Sequence, residues 1–117
     1  MRKIICLLAG IATLALVGVA SAHSVLRRSS PAEGATLAQV PSEVRLTFND
    51  AVEPRFSTID VRGPDGRLVS GAVRADKQNE IAVGIASGSP GRYDVHWRVM
   101  SVDAHKVQGQ FQFRVAP

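Results

Sequence analysis

Arg92-Tyr93-Asp94-Val95-His96-Trp97-Arg98-Val99 alternates without a break. Side chains of an extended chain project with a period of two, so Tyr93, Val95, Trp97 and Val99 share one side and Asp94, His96 and Arg98 the other. A strand of this kind packs its apolar face on a second layer and leaves the polar face to water. The pattern recurs in both directions. Towards the C-terminus, Val107 to Val115 carries Phe111, Phe113 and Val115 on a common face. Towards the N-terminus, Val44-Arg45-Leu46-Thr47-Phe48 groups Val44, Leu46 and Phe48. Phe56 to Val61 repeats the style less cleanly, and shorter strands are expected at Leu68-Val69, Ala72-Val73-Arg74 and Glu80 to Ile85.

Turn residues punctuate these runs. Gly63-Pro64-Asp65-Gly66 is a strong turn signal, because proline presets one φ angle and glycine accepts positive φ. Ser87-Gly88-Ser89-Pro90-Gly91 marks a second loop. No window shows a helical period of 3.6 residues. About seven short strands around a single central tryptophan predict an all-β fold, a small antiparallel immunoglobulin-like (Greek-key) β-sandwich without its disulfide. No internal repeat, linker or low-complexity tract divides the chain.

The first 22 residues read as a leader rather than as part of that domain. Arg2 and Lys3 form a basic start, Ile4 to Ala20 is apolar or small, and Ala20-Ser21-Ala22 supplies the small side chains that signal peptidase accepts. Cleavage after Ala22 is expected, giving a signal peptide over 1–22 and one domain over 23–117. Gly18 and Ala20 are also small, and a cut after Ala20 would instead release Ser21-Ala22-His23. The A-x-A pattern favours Ala22.

With the leader gone, little sulfur is left. The chain's single cysteine, Cys6, lies inside it, and Met100 is the one methionine outside it. No disulfide can staple the domain, and any metal chemistry must rest on nitrogen and oxygen. Loss of Arg2 and Lys3 lowers the net charge from +4 to +2. Arg27, Arg45, Arg62, Arg74 and Arg98 are spread among acids with no stacking aromatics between them, so nucleic-acid binding is not expected.

Ser101-Val102-Asp103-Ala104-His105 is the chemistry-bearing stretch. A carboxylate and an imidazole two residues apart project to one side of an extended backbone, so both can meet one ion. Alone, the pair is equally a surface ion pair. His23 changes this. After cleavage at Ala22 it carries a free α-amine beside its own imidazole, and the two nitrogens close a six-membered chelate ring. Asp103 and His105 complete a set of three nitrogens and one oxygen. A tetragonal N,O set suits Cu(II); Zn(II) also fits, with copper ahead in the Irving–Williams order. If the cut falls after Ala20, amine, amides and imidazole of the terminal tripeptide make a copper site by themselves, and Asp103 and His105 are spectators. His96 is expected on the outer face of its sheet as a structural residue. Met100 is packing or surface unless it serves as an axial thioether. Trp97 is core, and Arg98 is either a surface residue or an outer partner of a ligand carboxylate.

Trp97 to His105, followed by Gly109, resembles the C-terminal signature of the CopC-type copper-resistance proteins. Ser29-Ser30-Pro31-Ala32-Glu33-Gly34 is similar to their S-x-P-A-x-G segment, and Val44 to Asp50 to a family strand. The resemblance spans nearly all of 23–117. It implies a periplasmic β-sandwich that binds one Cu(II) per mature chain through His23, Asp103 and His105. Asp50 stands where many relatives carry a glutamate near the copper, which makes it a candidate outer-sphere or weak ligand. Ala104 departs from a common glycine. No methionine lies between His23 and Arg98, so the Cu(I) loop of some relatives is not expected here.

The expected function is Cu(II) sequestration, resistance or delivery, by a monomer, to an inner-membrane copper transporter of the CopD type. No enzymatic activity is expected. Two readings compete. One is a histidine-brace oxidative enzyme, which shares the terminal amine and two imidazoles, although Asp103 would fill the position that oxygen needs. The other is a metal-free immunoglobulin-like structural domain.

Overall fold

The computed structural model describes residues 25–117. Eight strands follow one another: β1 Leu26–Ser30, β2 Thr36–Leu37, β3 Glu43–Phe48, β4 Thr58–Arg62, β5 Arg74–Lys77, β6 Glu80–Gly84, β7 Gly91–Met100 and β8 Lys106–Val115. They form two four-stranded sheets, ordered β1-β3-β6-β5 and β2-β8-β7-β4. The chain changes sheet at every connection except the β5–β6 and β7–β8 hairpins. All pairs are antiparallel but β2–β8, a two-residue parallel contact.

The alternation read from sequence decides which residues meet. Tyr93, Val95, Trp97 and Val99 of β7 are buried, and the residues between them are exposed. Phe111, Phe113 and Val115 of β8 join them from the same sheet; Val44, Leu46, Phe48, Ile81 and Val83 close the core from the other. One aromatic pair joins the two sheets and another lies within one of them. Phe48 meets Trp97 edge to face at 5.3 Å between centroids, and Tyr93 stacks on Phe113 at 5.1 Å.

The sandwich is as expected, with differences in detail. The strand expected from Phe56 begins only at Thr58, because Pro54–Phe56 forms a single 3₁₀ turn and leaves Phe56 exposed. Pro54 fixes φ and has no N–H for a ladder, which suits a turn start. Leu68 and Ser70 make only isolated bridges, and Ala72 and Val73 are irregular, with β5 starting at Arg74. Two strands were not expected from the sequence: β1, whose exposed and half-buried residues do not alternate, and the two-residue β2, too brief to carry a period. The Gly63–Gly66 turn forms as read, with Gly66 at φ +83°.

The outer face of the β3-β6-β5 layer is held by charge. Arg45 reaches Glu43 at 2.6 Å and Glu80 at 3.1 Å and also pairs with Asp76, while Arg74 pairs with Glu43. Arg45, and then Arg74, hold the Glu43 carboxyl below its ordinary value; Arg45 does the same for Asp76.

Candidate metal centre

β7 and β8 are joined by a tight loop, Ser101 to His105, and Ser101 organises it. The serine is buried, and its hydroxyl donates to Asp103 Oδ1 and accepts the His105 N–H at 3.1 Å. Backbone bonds from Ser101 N–H to His105 O (2.8 Å) and from Ala104 N–H to Ser101 O (2.9 Å) close the loop. Ala104 sits at φ +72°, a left-handed conformation that favours glycine.

This loop brings Asp103 and His105 together. His105 Nδ1 lies 3.2 Å from Asp103 Oδ1, and both side chains are about half exposed. The Ser101 hydroxyl above all, with a lesser contribution from His105, holds the Asp103 carboxyl below the usual carboxylate range, and burial opposes them. Asp103 is therefore an anion at neutral pH. Two donors bound at right angles to one ion, each at about 2.0–2.1 Å, stand about 2.9 Å apart. The observed spacing fits a shared ion with a small adjustment.

Asp50 follows the end of β3, exposed, with Oδ1 accepting the N–H of Ala51 at 2.8 Å. Its neighbours on either side tie two parts of the molecule together. Asn49 Oδ1 accepts the Val25 N–H at 2.7 Å, and the Asn49 N–H donates to Val25 O at 3.0 Å. Ala51 O accepts the Val102 N–H at 3.2 Å, and Val52 bridges Ser101. Asn49 thus touches the first described residue, and Ala51, two positions on, the loop that holds Asp103 and His105.

His23 lies outside the described residues, as do the leader and both cleavage sites. Among the described residues, no group of three or more His, Cys, Asp or Glu is arranged to hold a metal. His96 is on the outer face of its sheet, paired in register with Asp60 and Gln110, apart from the loop. Arg98 lies opposite Thr58 and Gln108, on the polar face of β7. Trp97 is buried and Met100 half-buried at the strand end. Sequence reasoning passed over Ser101 and Asn49. The serine's place two residues before Asp103 was a usable signal; nothing local marks Asn49, whose partner is 24 residues away.

Comparison with known proteins agrees with this architecture. The family model described as "CopC domain" matches residues 26–116. Protein YobA of Escherichia coli (strain K12) is 35% identical over 98 residues, which is 80% of this chain and 79% of YobA. Copper resistance protein C of Xanthomonas campestris pv. juglandis is 31% identical over 105 residues, 82% of each chain. The crystal structure of CopC from Methylosinus trichosporium OB3b superposes with a TM-score of 0.75 at 36% identity, covering 81% of this chain and 95% of that one.

Proposed function

The chain belongs to the CopC family of copper-resistance proteins, and on that premise we propose that it is a periplasmic, non-catalytic Cu(II) carrier. In this reading the leader is cut after Ala22 and the domain is 23–117. One Cu(II) is held by the α-amine and imidazole of His23, by Asp103 and by His105. Asp50 is an outer partner or weak ligand. The monomer holds copper or passes it to an inner-membrane transporter of the CopD type.

The observation that carries this reading is the 3.2 Å contact of His105 Nδ1 with Asp103 Oδ1 in a loop tied through residues 49–51 to Val25. His23 is two residues before Val25, a reach of about 7 Å for extended chain. A carboxylate, an imidazole and a terminal chelate favour Cu(II) over Cu(I), which prefers sulfur. A terminal ligand also suits transfer, since it can detach while the loop keeps its shape.

The test begins with the protein expressed from the full sequence and exported. Its first residue is read by mass spectrometry and Cu(II) is titrated with EPR detection. A His23 terminus, one ion per chain, and at least about a hundredfold loss of affinity in His105→Ala are expected, since even outer partners of metal ligands cost ten- to a hundredfold. Binding that is unchanged in His105→Ala and follows a Ser21 terminus would establish the tripeptide site instead. No stoichiometric binding would end the copper reading.

A further inference from the structure

We propose that Asn49 is a positioning residue for the copper site: its side-chain amide clamps the chain at Val25 and so sets how His23 meets Asp103 and His105. The inference rests on the Cu(II) reading above and adds to it a residue that touches no metal.

Val25 is held at two points. Asn49 Oδ1 takes its N–H at 2.7 Å, and its carbonyl takes the Asn49 N–H at 3.0 Å. The second bond is backbone to backbone and survives any side chain but proline. The first needs an acceptor oxygen at the reach that asparagine provides. Packing contributes little, because the Val25 side chain is 55% exposed. Nor is the ladder regular here: Leu26 pairs with Phe48, but the register slips before Arg28 pairs with Thr47. The amide therefore fixes a strand end that would otherwise fray.

The clamp matters because of what lies on the other side of it. Ala51 O accepts the Val102 N–H, so the Asn49–Ala51 segment bridges the N-terminal arm and the metal-binding loop. A ligand on a frayed arm must be ordered when the ion binds, and that entropy is subtracted from affinity. An arm already pinned two residues from His23 leaves less to order. A tripeptide site on a Ser21 terminus, four residues before Val25 and self-contained, would not need the clamp.

The experiment compares parent, Asn49→Ala, Asn49→Asp and His105→Ala, each exported and purified with its terminus verified. Cu(II) affinity is measured by competition in about 1 M salt, where a Debye length of about 3 Å screens the added aspartate charge. Amide exchange at Val25 is followed in parallel. Asn49→Ala is expected to weaken Cu(II) binding about five- to tenfold, the size of one lost hydrogen bond, and to speed Val25 exchange. Its thermal midpoint should fall by no more than about 4–8 °C, the effect of one hydrogen bond on a domain of this size. Asn49→Asp keeps the acceptor oxygen and should restore both readouts. Parental affinity in Asn49→Ala, with binding lost in His105→Ala, overturns the clamp and leaves the copper site standing. Failure of Asn49→Asp to restore affinity also overturns it. Parental binding in His105→Ala removes the copper reading, and this inference with it.

Discussion

Gly109 lies directly opposite Trp97 across the β7–β8 hairpin, and a Cβ on Gly109 would fall 2.5 Å from the indole Cζ2 and 2.8 Å from Cε2. The indole lies over the glycine backbone and meets Phe48 on the opposite sheet. It is only 6% exposed, so it has little room to withdraw.

Gly109→Ala is therefore expected to cost about 1–3 kcal/mol, the usual penalty for forcing an added methyl into a packed core. Urea unfolding followed by Trp97 fluorescence measures this. The native emission should also shift as the indole moves. The glycine that closes the family signature thus has a packing reason rather than a chemical one.

Ala104 should gain from the opposite change. At φ +72° an alanine bears a left-handed penalty of about 1–2 kcal/mol. Glycine's extra freedom in the unfolded chain offsets roughly half of that. Ala104→Gly is expected to stabilise the fold by about 0.5–1 kcal/mol, read as a higher thermal midpoint.

Ser101→Ala should act on stability and on metal binding together. The buried hydroxyl donates to Asp103 and accepts from the His105 backbone, so its loss removes two hydrogen bonds, one of them to a carboxylate. A cost of about 1–3 kcal/mol is expected. Cu(II) affinity should fall by about ten- to a hundredfold, as for other outer partners of metal ligands. Parallel thermal melts and Cu(II) titrations check both.

Arg45→Met should change the acid limb of the stability curve. Arg45 lowers the Glu43 and Asp76 carboxyls from ordinary values of 4.5 and 3.8. Groups with depressed folded values contribute stability above their unfolded values and lose it as pH falls through the folded ones. The parent should thus lose stability as pH drops below about 4.5. In Arg45→Met, Glu43, Asp76 and Glu80 all lose this partner, while Glu43 and Asp76 keep Arg74, so the deficit is largest at neutral pH. The two curves should converge on acidification. Urea midpoints from pH 7 to pH 2.5 test this, and a gap that widens towards acid would contradict it.

The β7, β8 and β3 strands were legible because each is half-buried, and a half-buried strand prints its faces as an alternation. β6 prints less clearly, since Ala82 on its outer side is as buried as Ile81 and Val83. Phe56 misled because an aromatic beside a strand reads like its first residue, whereas Pro54 two positions earlier sets a turn. At the candidate site, spacing put Asp103 and His105 on one side of an extended backbone; they do meet, but in a turn and not along a strand. Spacing could not reveal that a left-handed Ala104 closes the loop between them.

The sequence by itself determined the sandwich, its core faces, the expected leader and the candidate donors, because periodicity, turn chemistry and residue type are local properties. Only the tertiary structure decided that Asn49 holds Val25, that Ala51 meets Val102, and that Gly109 makes room for Trp97. Those contacts join residues far apart in the chain, and their partners are fixed by strand register. Register follows from how two whole sheets pack, which no short window of sequence contains.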